Sequence, residues 1–244
     1  MFDIRARADT DSTNDDAAPL LGLPQHAGAV LLADYQRLGR GRHERAWIAP
    51  PGSSLLFTTI LPQPVAATAL WAVPFWTGLC VADGIEAATG LRVALQWPND
   101  LLLGAGKCSG ILCISRVVGD SAYVGCGTGV NVRRPEANAE LAAIAPPPAF
   151  LSDRRPSVTR EELLAAILAA YRRRLGELAE PRTVARAWEA RAALAGTPYR
   201  LHIDGSEAPF EAQALRIHDD GSLVVRGAAG ERIVALADAR VLRR

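Results

Sequence analysis

The chain has 244 residues, 49% of them hydrophobic, enough to bury a full core and to exclude a peptide that needs disulfides or a metal to fold. Its 27 Lys and Arg stand against 26 Asp and Glu, so a net charge of +1 gives no global field for nucleic acid or an anionic membrane. Any anion site has to be local.

Taken in order, Asp11 to Ala17 (DSTNDDA) offers two hydroxyls and an amide just before an expected helix. Alone it reads as a helix cap, because a helix N-terminus favours the same residues. Residues 28–35 and 54–61 are short apolar runs rich in strand formers and predict interior strands. Between them lies QRLGRGRHERAWIAPPGS, too charged and glycine-rich for a packed element and long enough for a functional loop. There Arg40, Arg42 and Arg45 stand on a backbone made pliable by Gly39 and Gly41. Guanidiniums bind carboxylate or phosphate through paired hydrogen bonds, although a solvated basic loop is the plainer reading of the segment alone.

A helix is predicted over about 66–89, ending at Gly90. Its uncharged stretch Val65 to Ala82 approaches the roughly 18 to 20 residues that span a bilayer. Pro74, Thr68, Thr77 and Gly78 dilute it, and the pattern continues through Asp83 and Glu86, so a helix buried against a sheet is the simpler reading. Strands follow at about 93–97, 101–103 and 107–118, the last turning at Gly119 and Asp120 into 121–126.

QWPNDLLL (96–103) presents Asn99 and Asp100 from a proline turn, where an amide can bind a base or phosphate oxygen and a carboxylate can hold Mg²⁺. An ordinary Asn/Asp turn is the alternative. In GKCSGIL, Lys107 heads a strand and Gly110 admits a close neighbour. This is no Walker A loop, since Leu101 and Cys108 stand where it needs Gly and Ser or Thr. GTGVN (127–131) reads as a glycine-rich turn that would admit a ligand beside Asn131.

Residues 133–157, biased to Pro, Ala and Arg, predict a short helix and a loop. Thr159 with Glu162 forms a capping box for a helix to about 177, and Pro181 begins another to about 195, ended by Gly196. Short alternating segments then recur between DGS (204–206), DDGS (219–222) and AAG (228–230), which predicts a small antiparallel barrel of about five strands. The expected division is 1–195 and 196–244. Cys80, Cys108, Cys113 and Cys126 have no C-x-x-C pair and no metal-ligand spacing with the four histidines, so they read as buried thiols in a reducing cytosol. No signal peptide opens the chain, and a cytoplasmic protein is expected.

Read together, S-T-N, Y-Q-x-x-G-R-G-R-x-x-R-x-W, W-P-N-D, K-x-x-G-I-L and G-x-G-x-N, in this order and at these separations, resemble the bacterial biotin protein ligase family. The resemblance is strong over about residues 9–132 and looser beyond. It implies a mixed β-sheet with helices on one face, related to the class II aminoacyl-tRNA synthetase core, followed by an SH3-like barrel. By the match, Ser12, Thr13, Asn14 and Gln36 hydrogen-bond biotin, and Gly39, Gly110 and Gly127 line its site. Arg40, Gly41 and Arg42 close over the biotin carboxylate and the adenylate phosphate, and Lys107 sits at the reacting groups. Arg45, Trp47, Asn99, Asp100 and Asn131 serve ATP and Mg²⁺, with no fixed metal site in the protein.

The implied partner is a biotin carboxyl carrier protein or domain, modified on a lysine by a monomer or homodimer that needs neither nucleic acid nor membrane. Only 11 residues precede Ser12, too few for the winged helix-turn-helix that makes some relatives repressors, so a monofunctional ligase is expected. Gln96 and Glu44 depart from the family pattern, which usually has a Lys or Arg and a small residue there. Two alternatives share the core: a lipoate or octanoate ligase or transferase, and a non-catalytic biotin-binding module.

Overall fold

In the computed structural model of the chain the described residues are 2–136, 138–203, 208–228, 230–236 and 239–242, without the side chains of Glu44, Ala239 and Arg240. The turn expected at 204–206 lies outside them. The chain opens with a strand that the sequence reading did not include, β1 (Asp3–Thr10). Ile4, Ala6 and Ala8 alternate with Asp3, Arg5, Arg7 and Asp9 but stay exposed because β1 is the edge of a sheet, and charge there discourages pairing with another chain.

After the short helix α1 (Thr13–Ala17), the strands expected at 28–35 and 54–61 form as β2 (Ala29–Gln36) and β3 (Ser54–Ile60). A two-residue strand, β4 (Val65–Ala66), leads through a 3-10 turn into α2 (Val73–Thr89). Then come β5 (Ala94–Gln96), β6 (Asp100–Leu103), β7 (Gly106–Val118) and β8 (Ser121–Asn131), giving the order β1-β2-β3-β8-β7-β6-β5, with β4 also paired to β8. β1 and β2 run parallel and the other neighbours antiparallel. β8 runs past the expected residue 126: GTGVN is strand rather than turn, with Gly127 opposite Thr58, Gly129 opposite Leu56 and Asn131 opposite Ser54.

Alternation along β7 separates the two faces of this sheet. Ile111 packs beside Gly78 of α2, whereas Gly110 faces Trp47. α2 therefore covers one face, while α1 and the loop after β2 lie on the other. Gly90 ends α2 in the left-handed region at φ 73°, its N–H donating to the Glu86 carbonyl at 2.8 Å. Twelve of the 17 residues of α2 are buried. By length and composition Ala67–Thr89 is apolar enough to cross a membrane, but 72% of its most apolar window is covered by the rest of the protein, as in a core helix.

α3 (Ala139–Ala142) precedes α4 (Arg160–Arg174), whose Thr159/Glu162 capping box forms as expected. α5 (Pro181–Ala192) stops earlier than its sequence suggests, because Ala193 turns left-handed at φ 47° and directs Leu194 into the core. Cys80, Cys108 and Cys126 are buried and Cys113 partly so; burial pushes the Cys80 thiol well up, and a hydrogen bond with Cys126 plus burial does the same to Cys113.

The remaining strands are β9 (Pro198–Ile203), β10 (Phe210–Ile217), β11 (Leu223–Gly227), β12 (Gly230–Val234) and β13 (Ala239–Val241). They form a five-stranded antiparallel sheet in the order β12-β11-β10-β9-β13. Among the described residues its ends do not pair, so the barrel expected here is an open ladder. One hydrophobic cluster runs from β3 and α2 through Trp188 of α5 to Tyr199, Leu201, Leu223 and Val225 of this second sheet. The second sheet is thus packed into the same core as the first.

Candidate active site

A cavity of about 520 Å³ opens on the face of the large sheet opposite α2, well within the roughly 300–1,000 Å³ usual for small-molecule sites. It brings together Ser12, Thr13, Asn14, Gln36, Arg40, Gly41, Arg42, Arg45, Trp47, Asn99, Asp100, Lys107, Gly110, Gly127 and Asn131. Of the residues singled out from the sequence, Gly39 alone stands behind this lining, where a Cβ would meet the Trp47 carbonyl oxygen at 2.6 Å.

One end of the cavity is neutral and hydrogen-bonded to itself. Ser12 occupies the N-cap position of α1, yet its hydroxyl makes no capping bond, which weighs against the cap reading of DSTNDDA. The Thr13 backbone N–H and hydroxyl both donate to Gln36 Oε1, at 2.8 and 3.0 Å. Asn14 Nδ2 donates to the Leu112 carbonyl at 3.0 Å, which turns its Oδ1 toward Thr58. The Thr58 hydroxyl lies 2.8 Å from that oxygen and 2.9 Å from Thr13 Oγ1, and shares one proton between the two acceptors. Thr58 is fully buried and escapes sequence reasoning because it sits in an apolar strand run; the signal was a Thr-Thr pair in SLLFTTIL.

Glycine on β8 is dictated by contact. At Gly127 a Cβ would lie 2.4 Å from Asn14 Oδ1 and 2.6 Å from the Leu112 carbonyl oxygen, and at Gly129 it would lie 2.6 Å from the Trp47 ring. Helix α1 and the Trp47 indole can rest against the sheet only where side chains are missing.

The other end is charged. Lys107 Nζ lies 2.5 Å from Asp100 Oδ1 and 5.3 Å from the centre of the Trp47 ring. Asn99 clamps the turn before Asp100 to β7: its Nδ2 donates to the Ile111 carbonyl at 2.6 Å, and its carbonyl accepts from Ile111 N–H at 3.0 Å. Asn131 Nδ2 donates to the Lys107 carbonyl at 3.2 Å. The arginine loop is a small hairpin, closed by Gly41 N–H to the Arg45 carbonyl at 2.7 Å and Trp47 N–H to the Gly39 carbonyl at 2.8 Å.

Three of the loop's cations have protein partners: Arg37 pairs with Asp9 and Asp11, Arg40 with Asp15, and Arg42 donates to the Leu236 carbonyl, just after β12. Burial holds the Arg42 guanidinium below its ordinary pKa; Asp100 opposes this, and the neighbouring Arg45 adds to it. The Trp47 indole N–H is buried without a hydrogen-bond partner.

Sequence reasoning also missed an apolar wall made by Leu141, Ile144, Ala145, Pro146 and Pro148, with Val241 and Leu242 from the second sheet. The Ala/Pro bias of 133–150 is visible in the sequence, but composition does not say that the segment crosses the cavity. It is tied there by Ala149 N–H donating to the Lys107 carbonyl at 3.0 Å.

A sequence profile of the Biotin/lipoate A/B protein ligase family matches residues 8–131, the part of the chain that supplies the cavity's polar groups. A biotin–[acetyl-CoA-carboxylase] ligase of Paracoccus denitrificans is 35% identical over 240 residues, covering 95% of this chain and 97% of the relative. The chain belongs to this ligase family. Another relative, the bifunctional ligase/repressor BirA of Bacillus subtilis, is 27% identical over 93% of this chain and 70% of its own length. The biotin protein ligase of Aquifex aeolicus, solved in complex with biotin and ATP, superposes over 100% of both chains with a TM-score of 0.78 at 22% identity, and so shares the ligase fold.

Proposed function

We propose that this member of the ligase family is a biotin protein ligase. The biotin carboxylate attacks the α-phosphorus of ATP, releasing pyrophosphate and giving biotinyl-5′-AMP; a carrier lysine amine then attacks the mixed anhydride, releasing AMP. The observation that carries the reading is the two-ended cavity. Its neutral end offers the donors and acceptors of Ser12, Thr13, Asn14 and Gln36, which suit a ureido ring having one carbonyl and two N–H groups. Its charged end gathers Arg40, Arg42, Arg45 and Lys107, which offset the negative charge of carboxylate and phosphates as they approach. The unpartnered Trp47 N–H is a further donor for a phosphate or ribose oxygen.

Among the described residues Asp100 is the one carboxylate lining the cavity, and no group of three His, Cys, Asp or Glu residues that could hold a metal occurs among them. That donor set suits Mg²⁺ brought in on the ATP phosphates, because Mg²⁺ is commonly held by one or two carboxylates, substrate oxygens and water. In this reading residues 1–195 supply the reacting groups, 196–244 buttress them, and the enzyme works in the cytosol on the biotin carboxyl carrier domain of a carboxylase. A lipoyl dithiolane ring has neither carbonyl nor N–H and would leave the polar end unsatisfied, which favours biotin.

The test is incubation with labelled biotin, MgATP and a biotin carboxyl carrier domain. Covalent label on the carrier lysine, dependent on ATP and insensitive to excess lipoate, is expected. Absence of label, or its suppression by lipoate, would contradict the proposal.

A further inference from the structure

The turn joining β5 to β6 carries Asn99 and Asp100 into the cavity, and its first residue is anchored to the second sheet. Trp97 is fully buried. Its backbone N–H donates to the Tyr199 hydroxyl at 3.1 Å, and its indole N–H donates to the Gly221 carbonyl at 3.1 Å. Tyr199 lies on β9 and Gly221 in the turn between β10 and β11. Two residues beyond Trp97, Asn99 is bonded to β7, and Asp100 follows against Lys107. The turn is thus held at one end by the large sheet and at the other by the small one.

Tyr199 is itself nearly enclosed, and burial pushes its phenol up to about 12, with the Asp100 charge acting in the same direction. Its hydroxyl oxygen is therefore a neutral acceptor throughout the range in which the enzyme can work. The Trp97 N–H lies in the turn between β5 and β6, outside their paired residues, so losing Tyr199's oxygen leaves a buried donor stranded. A freed Trp97 would let Asn99 and Asp100 drift relative to Lys107, whereas Thr13, Asn14 and Gln36 are held by bonds that do not involve this turn.

We propose that Tyr199 is a positioning residue for the nucleotide end of the site, its hydroxyl fixing the Trp97 N–H and through it the placement of Asn99 and Asp100. This rests on the reading of that end as the ATP site.

The test is Tyr199→Phe, which keeps the ring in the core and removes the acceptor, followed by biotin titration, MgATP titration and biotin-dependent pyrophosphate release. The KM and Kd for MgATP should rise by about tenfold, the effect of one buried hydrogen bond, while biotin affinity stays within about twofold of the wild type. Unchanged MgATP parameters would overturn the proposal, as would equal weakening of biotin and MgATP, which is what general loosening produces. Should Tyr199→Phe fail to fold, Tyr199→Gln and Tyr199→Leu form a second pair of similar volume. The glutamine carbonyl can accept from Trp97 N–H, so its KM for MgATP should lie nearer the wild type than that of leucine; equal values overturn the proposal. Wild-type protein that binds MgATP but releases no pyrophosphate with biotin defeats the biotin-ligase reading while leaving the Tyr199 effect measurable in the MgATP titrations. Wild-type protein that does not bind MgATP defeats both.

Discussion

The two ends of the cavity are held in different ways. At the neutral end, Thr13, Asn14, Gln36 and Thr58 bond to one another and to the Leu112 carbonyl, so their polar atoms are oriented by the fold itself. At the charged end, Lys107 is held by Asp100, Arg40 by Asp15 and Arg42 by the Leu236 carbonyl. These partners can be exchanged for a carboxylate or phosphate. Recognition of a ring gains from a rigid template, whereas stabilising charge that moves during a reaction requires cations able to change partners. In the proposed function the first end would set which acid binds, and the second would carry out its activation.

The largest expected effect on biotin affinity comes from filling the neutral end. Gly127→Val would drive a side chain into Asn14 and the Leu112 carbonyl oxygen. Biotin affinity should fall by at least about a hundredfold, the scale of a few kcal/mol of overpacking, as read by calorimetric titration. Retained affinity would show that α1 is not held against β8 as described.

Thr58→Val keeps the shape of the strand and deletes the hydroxyl that faces Asn14 Oδ1 and Thr13 Oγ1. A stranded buried acceptor costs about 1–3 kcal/mol, so biotin affinity should drop by about tenfold or more, with turnover at saturating biotin near that of the wild type. A fall in turnover with unchanged affinity would reverse the roles assigned to the two ends.

The arginine loop gives a milder test. A carboxylate or phosphate that draws Arg40 and Arg42 inward competes with Asp15 and Leu236, and closure should bury the loop further. Tryptic cleavage after Arg40, Arg42 and Arg45 should slow with biotin and MgATP together and slow less with ATP alone. Indifference to both would remove the loop from the site. Smallest of all, Asp15→Asn frees Arg40 from a half-exposed ion pair of about 0–1 kcal/mol, so melting temperature should hardly move and biotin affinity should change by less than about threefold.

Much of the site was legible because the relevant residues fall in short segments with restrictive chemistry. Asn99 does sit in a proline turn, with Asp100 opening β6 directly after it, and Lys107 does stand at the head of a strand. What stayed hidden depends on contacts between distant segments. GTGVN looks like a turn until Trp47 and Asn14 are seen lying on it, and Thr58 looks like core until its hydroxyl meets Asn14. β1 has the period of a strand, but its apolar face of Ile4, Ala6 and Ala8 is small and unburied, since an edge strand need not bury one. The α5 end was misplaced because a left-handed alanine did what glycine usually does, and the pull of Leu194 toward the core is a tertiary effect. The Tyr199–Trp97 bond spans 102 residues and has no local signature at all.

The most direct test of the division between the two ends is Lys107→Ala, followed by single-turnover formation of biotinyl-5′-AMP at saturating biotin and MgATP, with biotin affinity measured on the same protein. Lys107 lies at the charged end, clear of the Thr13, Asn14 and Gln36 bonds. Adenylate formation should slow by about 10²–10³-fold, as when a group stabilising transition-state charge is removed. The Kd for biotin should rise by no more than about tenfold, the worth of one charge-assisted hydrogen bond. A near wild-type rate, or collapse of biotin binding together with the rate, would contradict the account.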